Sequence, residues 1–125
     1  MLDDAIAGKQ RHERFVERVA ASGQVWGLKS VTGWCVSRST RDETDGREIM
    51  PFWSDRAYAQ QCAREDWSEY EPAAIPIDQF MERWLPGMAA DSTLVGTNWN
   101  VQFTGYETTP QQLKDELNAQ RSQTI

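Results

Sequence analysis

Apolar residues recur at helical spacing through the opening of the chain, at Ile6, Phe15, Val16, Val19 and Ala20, which predicts a helix from about Asp4 to Ala21. Asp3 and Asp4 favour its start, Arg18 its end, and Gly23 supplies a stop. The period then shortens. QVWGLKS, WCVSRST and REIMPFWS read as strands of a meander, with Val31-Thr32-Gly33 turning the first into the second. Asp45-Gly46 marks a hairpin before the third, because glycine tolerates the positive φ such a turn requires.

Beyond Ser54-Asp55 a helix runs to about Glu65, with Tyr58, Ala59, Cys62 and Ala63 on one face. Residues 67–77 contain Pro72 and Pro76 and read as an extended edge strand. Asp78 caps the next helix, whose stripe is Ile77, Phe80, Met81, Trp84 and Leu85, and Pro86-Gly87 ends it. TLVGTNW is another strand, with a looser one near VQFTGYE. Thr109-Pro110 opens a last helix with Gln112 completing a capping box. Its stripe is only Leu113 and Leu117, which predicts peripheral packing, and residues 121–125 are expected to fray. The fold class is α+β: a mainly antiparallel sheet of about five strands packed by three to four helices, in one domain (1–125) with its core over about 4–120.

Composition sharpens this picture. Six Trp, four Phe and three Tyr make the apolar residues bulky, which argues for a packed core rather than disorder. Cys35 and Cys62 are the only cysteines and read as buried thiols. MLDDAIAGKQ carries acids where a secretory signal needs bases, and no stretch has the length of a membrane span, so a soluble cytoplasmic protein is expected. The net charge of −6 disfavours nucleic acid as a partner. All of it sits between Glu65 and Glu82, where six acids stand without a lysine or arginine.

The order of aromatic markers adds a resemblance. VWGLKSVTGW, IMPFWSDRAYAQQCA, WSEYEPAAIP, FMERWLPGM, VGTNWN and GYE together resemble the bacterial domain-of-unknown-function family 2750, over roughly residues 11–117. That likeness implies a small bacterial stand-alone domain; it brings no activity, cofactor or catalytic residue with it. A fainter likeness, in the strand-Pro-aromatic-Ser-helix order, is to the SseB-like proteins of bacteria.

Candidate chemistry is sparse. Ser54 lies at a strand-to-helix break, but a nucleophile elbow needs small neighbours, and Phe52, Trp53, Asp55 and Arg56 are not small. Helix capping is the expected role. His12, the only histidine, lies at the edge of an apolar face, and Cys35 lies mid-strand. Without a third orienting group they are weak as a thiol–imidazole pair. An enzyme would bring His12 within reach of Cys35 or Ser54 in a cleft. Two cysteines and one histidine fall short of a zinc site, and RDETDGREIMPF has Arg41 and Phe52 where a calcium loop needs acids. No phosphate-loop pattern occurs, and no cofactor is implied.

The favoured expectation is a non-catalytic interaction module whose contact surface is Glu65, Asp66, Trp67, Glu69, Tyr70 and Glu71, facing a basic protein partner. An immunity-type protein that blocks a basic toxin is one version. Trp67, Tyr70 and Trp99 are the aromatics expected to be partly exposed. The alternative is a small-molecule-binding protein or minor enzyme with a pocket at the strand ends.

Overall fold

The computed structural model describes residues 2–123, with side chains from Ala5 onward. Helix α1 (Leu2–Ser22) buries Gly8, His12, Phe15, Val16 and Val19 along one face. Ile6 lies roughly half a turn round from Gly8 and stays exposed, contrary to the apolar reading of that position. Gly23, at φ +76°, closes the helix with its N–H on the Val19 carbonyl.

Among the described residues, seven strands form two sheets. In the first, β1 (Gln24–Ser30) lies between β2 (Gly33–Trp34) and β5 (Glu71–Pro76), all antiparallel. In the second the order is β3 (Ser37–Arg38), β4 (Glu48–Phe52), β6 (Leu94–Thr97) and β7 (Tyr106–Thr108). Within this second sheet the β4–β6 pair is parallel and the β3–β4 and β6–β7 pairs are antiparallel. The extended prolines therefore do make an edge strand, β5. The expected strand WCVSRST instead divides between the sheets. Its Trp34 ring covers Gly27 on β1, where a Cβ would come within 2.8 Å of the ring, and the chain pairs with β4 from Ser37, three residues later. A reciprocal backbone pair between Trp26 and Trp53, at 2.8 and 2.7 Å, stitches the sheets together.

Helix α2 (Arg56–Cys62) follows β4. The helix after β5 runs through α3 (Ile77–Gln79), a π turn (Phe80–Trp84) and α4 (Leu85–Ala90). Pro86-Gly87 does not end it. Proline lacks the N–H and crowds the carbonyl four residues back; here the preceding π turn, closed by the Leu85 N–H on the Phe80 carbonyl, widens the helix at that point. Asp78 is no cap either: Pro76 holds that position, and Asp78 pairs with Arg121 at 3.2 Å. Helix α5 (Pro110–Gln123) starts with the Gln112 N–H on Thr109 Oγ1 at 3.2 Å and continues past residue 120; residues 124–125 lie outside the described residues. The Gln112 side chain meets Thr108 Oγ1, not the Thr109 N–H that a capping box would use.

Both faces of the central strands are covered, so β4 and β6 read as continuous apolar runs rather than alternating ones. One core holds Phe15, Val19, Val25, Phe52, Phe80, Leu85 and Val95. Leu113 and Leu117 belong to it with no exposure, so α5 is a core helix and not a peripheral one. The other core holds Leu28, Cys35, Ile49, Trp53, Cys62, Trp67 and Trp99. No helix among the described residues is long and apolar enough to cross a membrane.

Candidate functional site

The carboxyl ends of β4 and β6, the parallel pair, are where the chain concentrates polar side chains at the edge of its core. Asn98, at φ +48°, leaves β6 in a left-handed conformation that asparagine tolerates better than most residues. Its carboxamide ties three elements together. Oδ1 accepts from the Ser54 N–H at 2.8 Å, and Nδ2 donates to Ser54 Oγ at 3.1 Å and to the Arg11 carbonyl at 3.2 Å.

Ser54 is buried, and its hydroxyl donates to Asp55 at 2.8 Å. Asp55 in turn accepts from Arg18 Nε at 2.7 Å. The Arg18 guanidinium holds the Asp55 carboxyl below the usual carboxylate range, with the Ser54 hydroxyl acting in the same direction. The turn is therefore structural, but not through capping: Asp55 is the N-cap of α2 and makes no side-chain cap bond.

His12 does not meet Cys35 or Ser54. Its Nδ1 lies 2.8 Å from Thr97 Oγ1, and its Nε2 lies 3.0 Å from both carboxylate oxygens of Glu116. An ionised carboxylate only accepts, so Nε2 carries a proton. The ring also stacks on Tyr106, with centroids 4.2 Å apart. His12 thus pins α1 to β6, the Tyr106 segment and α5 from a buried position. Cys35 lies in the other core, and burial pushes its thiol up to about 12; burial likewise raises Cys62 to about 11. Neither is placed to act as a thiolate.

Residues 98–106 form a stapled loop. Asn100 Oδ1 accepts from the N–H groups of Gln102 and Thr104 and from Thr104 Oγ1, at 3.0, 3.3 and 3.2 Å. Trp99 Nε1 donates to the Tyr106 carbonyl at 3.1 Å, and Cys62 Sγ and Arg64 hold the carbonyls of Asn100 and Val101. Trp99 is gripped between Gly96 and Gly105, at each of which a Cβ would lie 2.6 Å from the indole. The markers VGTNWN and GYE are thus one packing unit.

Between this loop and α1 opens a cleft of about 500 Å³, walled by Arg11, Asn100 and Tyr106 and carrying Lys9, Arg41 and Glu107 at its lining. A second cavity of about 380 Å³ adjoins it across Arg11 and Asn100, and is lined by Tyr58, Trp99, Val101 and Arg14. Arg11 Nε is buried without a hydrogen-bond partner, and the side chains of Lys9, Arg11 and Arg41 make no hydrogen bond or ion pair among the described residues. Among the described residues the cleft's one carboxylate is Glu107, engaged by Ser39 Oγ at 2.7 Å. Among the described residues that line it, three cations stand against one acid, the reverse of the chain's overall balance. Nothing in the sequence marks these cations as a group. Arg41 comes from the β3–β4 loop, and Lys9 and Arg11 stand two apart, a spacing that does not share a helix face.

The acidic stretch is displayed in part. Glu65, Asp66, Glu69 and Glu71 are exposed. Trp67 is not, and the expectation that it forms part of a contact surface is corrected: its ring packs against Phe103 at 4.7 Å and Trp53 at 6.5 Å. Tyr70 is half-buried against the same core, and Trp99 is buried as well. Lys29 stands opposite Glu71 in the β1–β5 register, and Arg64 reaches Glu65 at 3.4 Å, so bases border the acids in space. Glu69→Lys with Glu71→Lys is expected to change stability by no more than about 0.5 kcal/mol, as exposed substitutions do. Urea unfolding checks this, and a larger loss would show that these carboxylates carry structural interactions.

The family profile for "Protein of unknown function (DUF2750)" matches residues 12–117. The chain belongs to the DUF2750 family. No curated protein and no solved structure matches it. The part shared with DUF2750 includes the Trp99 packing unit, Asn98, Asn100 and Arg41, and begins at His12. Lys9 and Arg11 lie just before it.

Proposed function

We propose that this protein binds a small anionic compound in the cleft between α1 and the 98–106 loop. The observation that carries the reading is the Arg11 guanidinium, whose Nε is buried without an acceptor in the wall of a cavity that also receives Lys9 and Arg41. A buried donor left unmade costs about 1–3 kcal/mol, so an anion that turned the Arg11 side chain to meet it would recover that cost. Small-molecule sites are concave, with few convergent polar groups, and cations in a walled cleft focus the field on an entering anion. Cys35 and Cys62, both free and buried, fit a reducing compartment, and we place this activity in the bacterial cytoplasm.

Arg11→Met separates function from fold. It removes the orphan donor while keeping an apolar stem, so the ligand-free variant is expected to be as stable as the wild type or up to about 1 kcal/mol more stable. It is also expected to lose the thermal stabilisation that phosphate or sulfate gives the wild type. Thermal melts with and without millimolar anions read both quantities. Equal anion stabilisation of the two proteins would sink the proposal.

A second reading rests on the exposed Glu65, Asp66, Glu69 and Glu71: a docking face for a basic protein, immunity-type binding included. Crosslinking from native cells with wild type and the double Glu→Lys variant tests it. A specific partner held by the wild type and lost by the folded variant supports it; identical recovery by both removes it.

A further inference from the structure

We infer that the ligand is a phosphomonoester carrying a flat ring, bound across both cavities; this rests on the anion-site reading above. Arg11 and Asn100 form the wall shared by the two cavities. Asn100 spends its carboxamide oxygen on three donors from its own loop, so its Nδ2 hydrogens are what it has left to offer. Arg11 offers guanidinium hydrogens that meet no acceptor among the described residues. The wall therefore presents donors alone, and a group that fills it must accept several hydrogen bonds at one point.

Charge selects among such groups. Among the described residues lining the first cavity, Lys9, Arg11 and Arg41 against Glu107 leave a surplus of two positive charges. A phosphomonoester carries about −1.5 to −2 near neutrality and has three terminal oxygens, whereas a carboxylate has one charge and two.

The second cavity has a different chemistry. Tyr58, Trp99 and Val101 give it apolar walls, and the Arg14 guanidinium stands over the Tyr58 ring, 5.9 Å from its centroid. Trp99 is clamped by Gly96 and Gly105, so that wall is rigid before any ligand arrives. A flat ring in this cavity meets the apolar surfaces of Tyr58, Trp99 and Val101 beside the Arg14 guanidinium, and Gln61 of the lining can pair with a ring heteroatom. The ring and the phosphate are thus read by separate compartments, joined at Arg11 and Asn100.

Calorimetry with four probes tests this: adenosine 5′-monophosphate, phenyl phosphate, ribose 5-phosphate and inorganic phosphate, each on wild type and Tyr58→Leu. The two ring-bearing probes are expected to bind the wild type about tenfold or more tightly than the two ringless ones, the scale of one ring–aromatic stack. Tyr58→Leu should erase that advantage and leave phosphate affinity unchanged. Adenosine 5′-monophosphate binding more tightly than phenyl phosphate would extend the assignment to nucleotides; equal binding would confine it to aryl phosphates. Equal affinity for all four probes overturns the ring compartment while leaving the anion site standing. If no probe binds, both readings fall together.

Discussion

Trp53→Ala is expected to lower stability by about 4 kcal/mol, within the range for emptying a buried tryptophan site. Trp53 has no exposed surface and lies in the core beneath α2, edge-on to Trp67. Its Nε1 donates to the Trp99 carbonyl at 3.0 Å, so truncation also leaves that buried acceptor with only the long Cys62 Sγ contact at 3.5 Å. The neighbours that could collapse into the space are themselves fixed: Trp99 by two glycines, and the Trp53 backbone by its pair with Trp26. Urea unfolding should show a large fall in midpoint with little change in slope. A loss below about 1 kcal/mol would mean that the aromatic core repacks freely, contrary to the close contacts around it.

Gly96→Ala is the second large effect, at about 3 kcal/mol for a single methyl group. The backbone at Gly96 is not in the left-handed region, so alanine meets no conformational penalty there. The cost is steric. The new Cβ would lie 2.6 Å from Cε2 and Nε1 of Trp99, and the ring has little room to shift because the backbone at Gly105 packs so close to it that a Cβ there would lie 2.6 Å from Cδ1. Either β6 shifts or Trp99 leaves its slot and loses its bond to the Tyr106 carbonyl. Chemical unfolding gives the stability and tryptophan fluorescence follows the ring. Wild-type values for both would show that the 98–106 loop yields easily and is not a preformed wall.

The elements with strong local periodicity were legible from sequence: α1 with its Gly23 stop, β1, and the stripe that begins at Ile77. What escaped depends on distant partners. WCVSRST has uniform strand character, and only the fit of Trp34 over Gly27 divides it between two sheets. Pro86 is a helix breaker by local rules, and a π turn absorbs it. Two leucines make a thin stripe for α5, yet α1 and the Phe80 helix close over them. Trp67 lies in an irregular, acid-rich segment, and its burial comes from Phe103, thirty-six positions away. The DUF2750 likeness rests on aromatic and glycine markers, which report this packing and not the cleft. Lys9, Arg11 and Arg41 are surface-type residues with no shared spacing, so only the folded chain brings them to one cavity.

The most direct measurement is the Nε–Hε NMR signal of Arg11 during titration with inorganic phosphate. The expected result is a saturable downfield shift at Arg11, larger than at the paired Arg18, with slowed exchange of the Hε proton as the orphan donor gains an acceptor. An Arg11 signal that stays still while phosphate reaches tens of millimolar would contradict anion binding in this cleft.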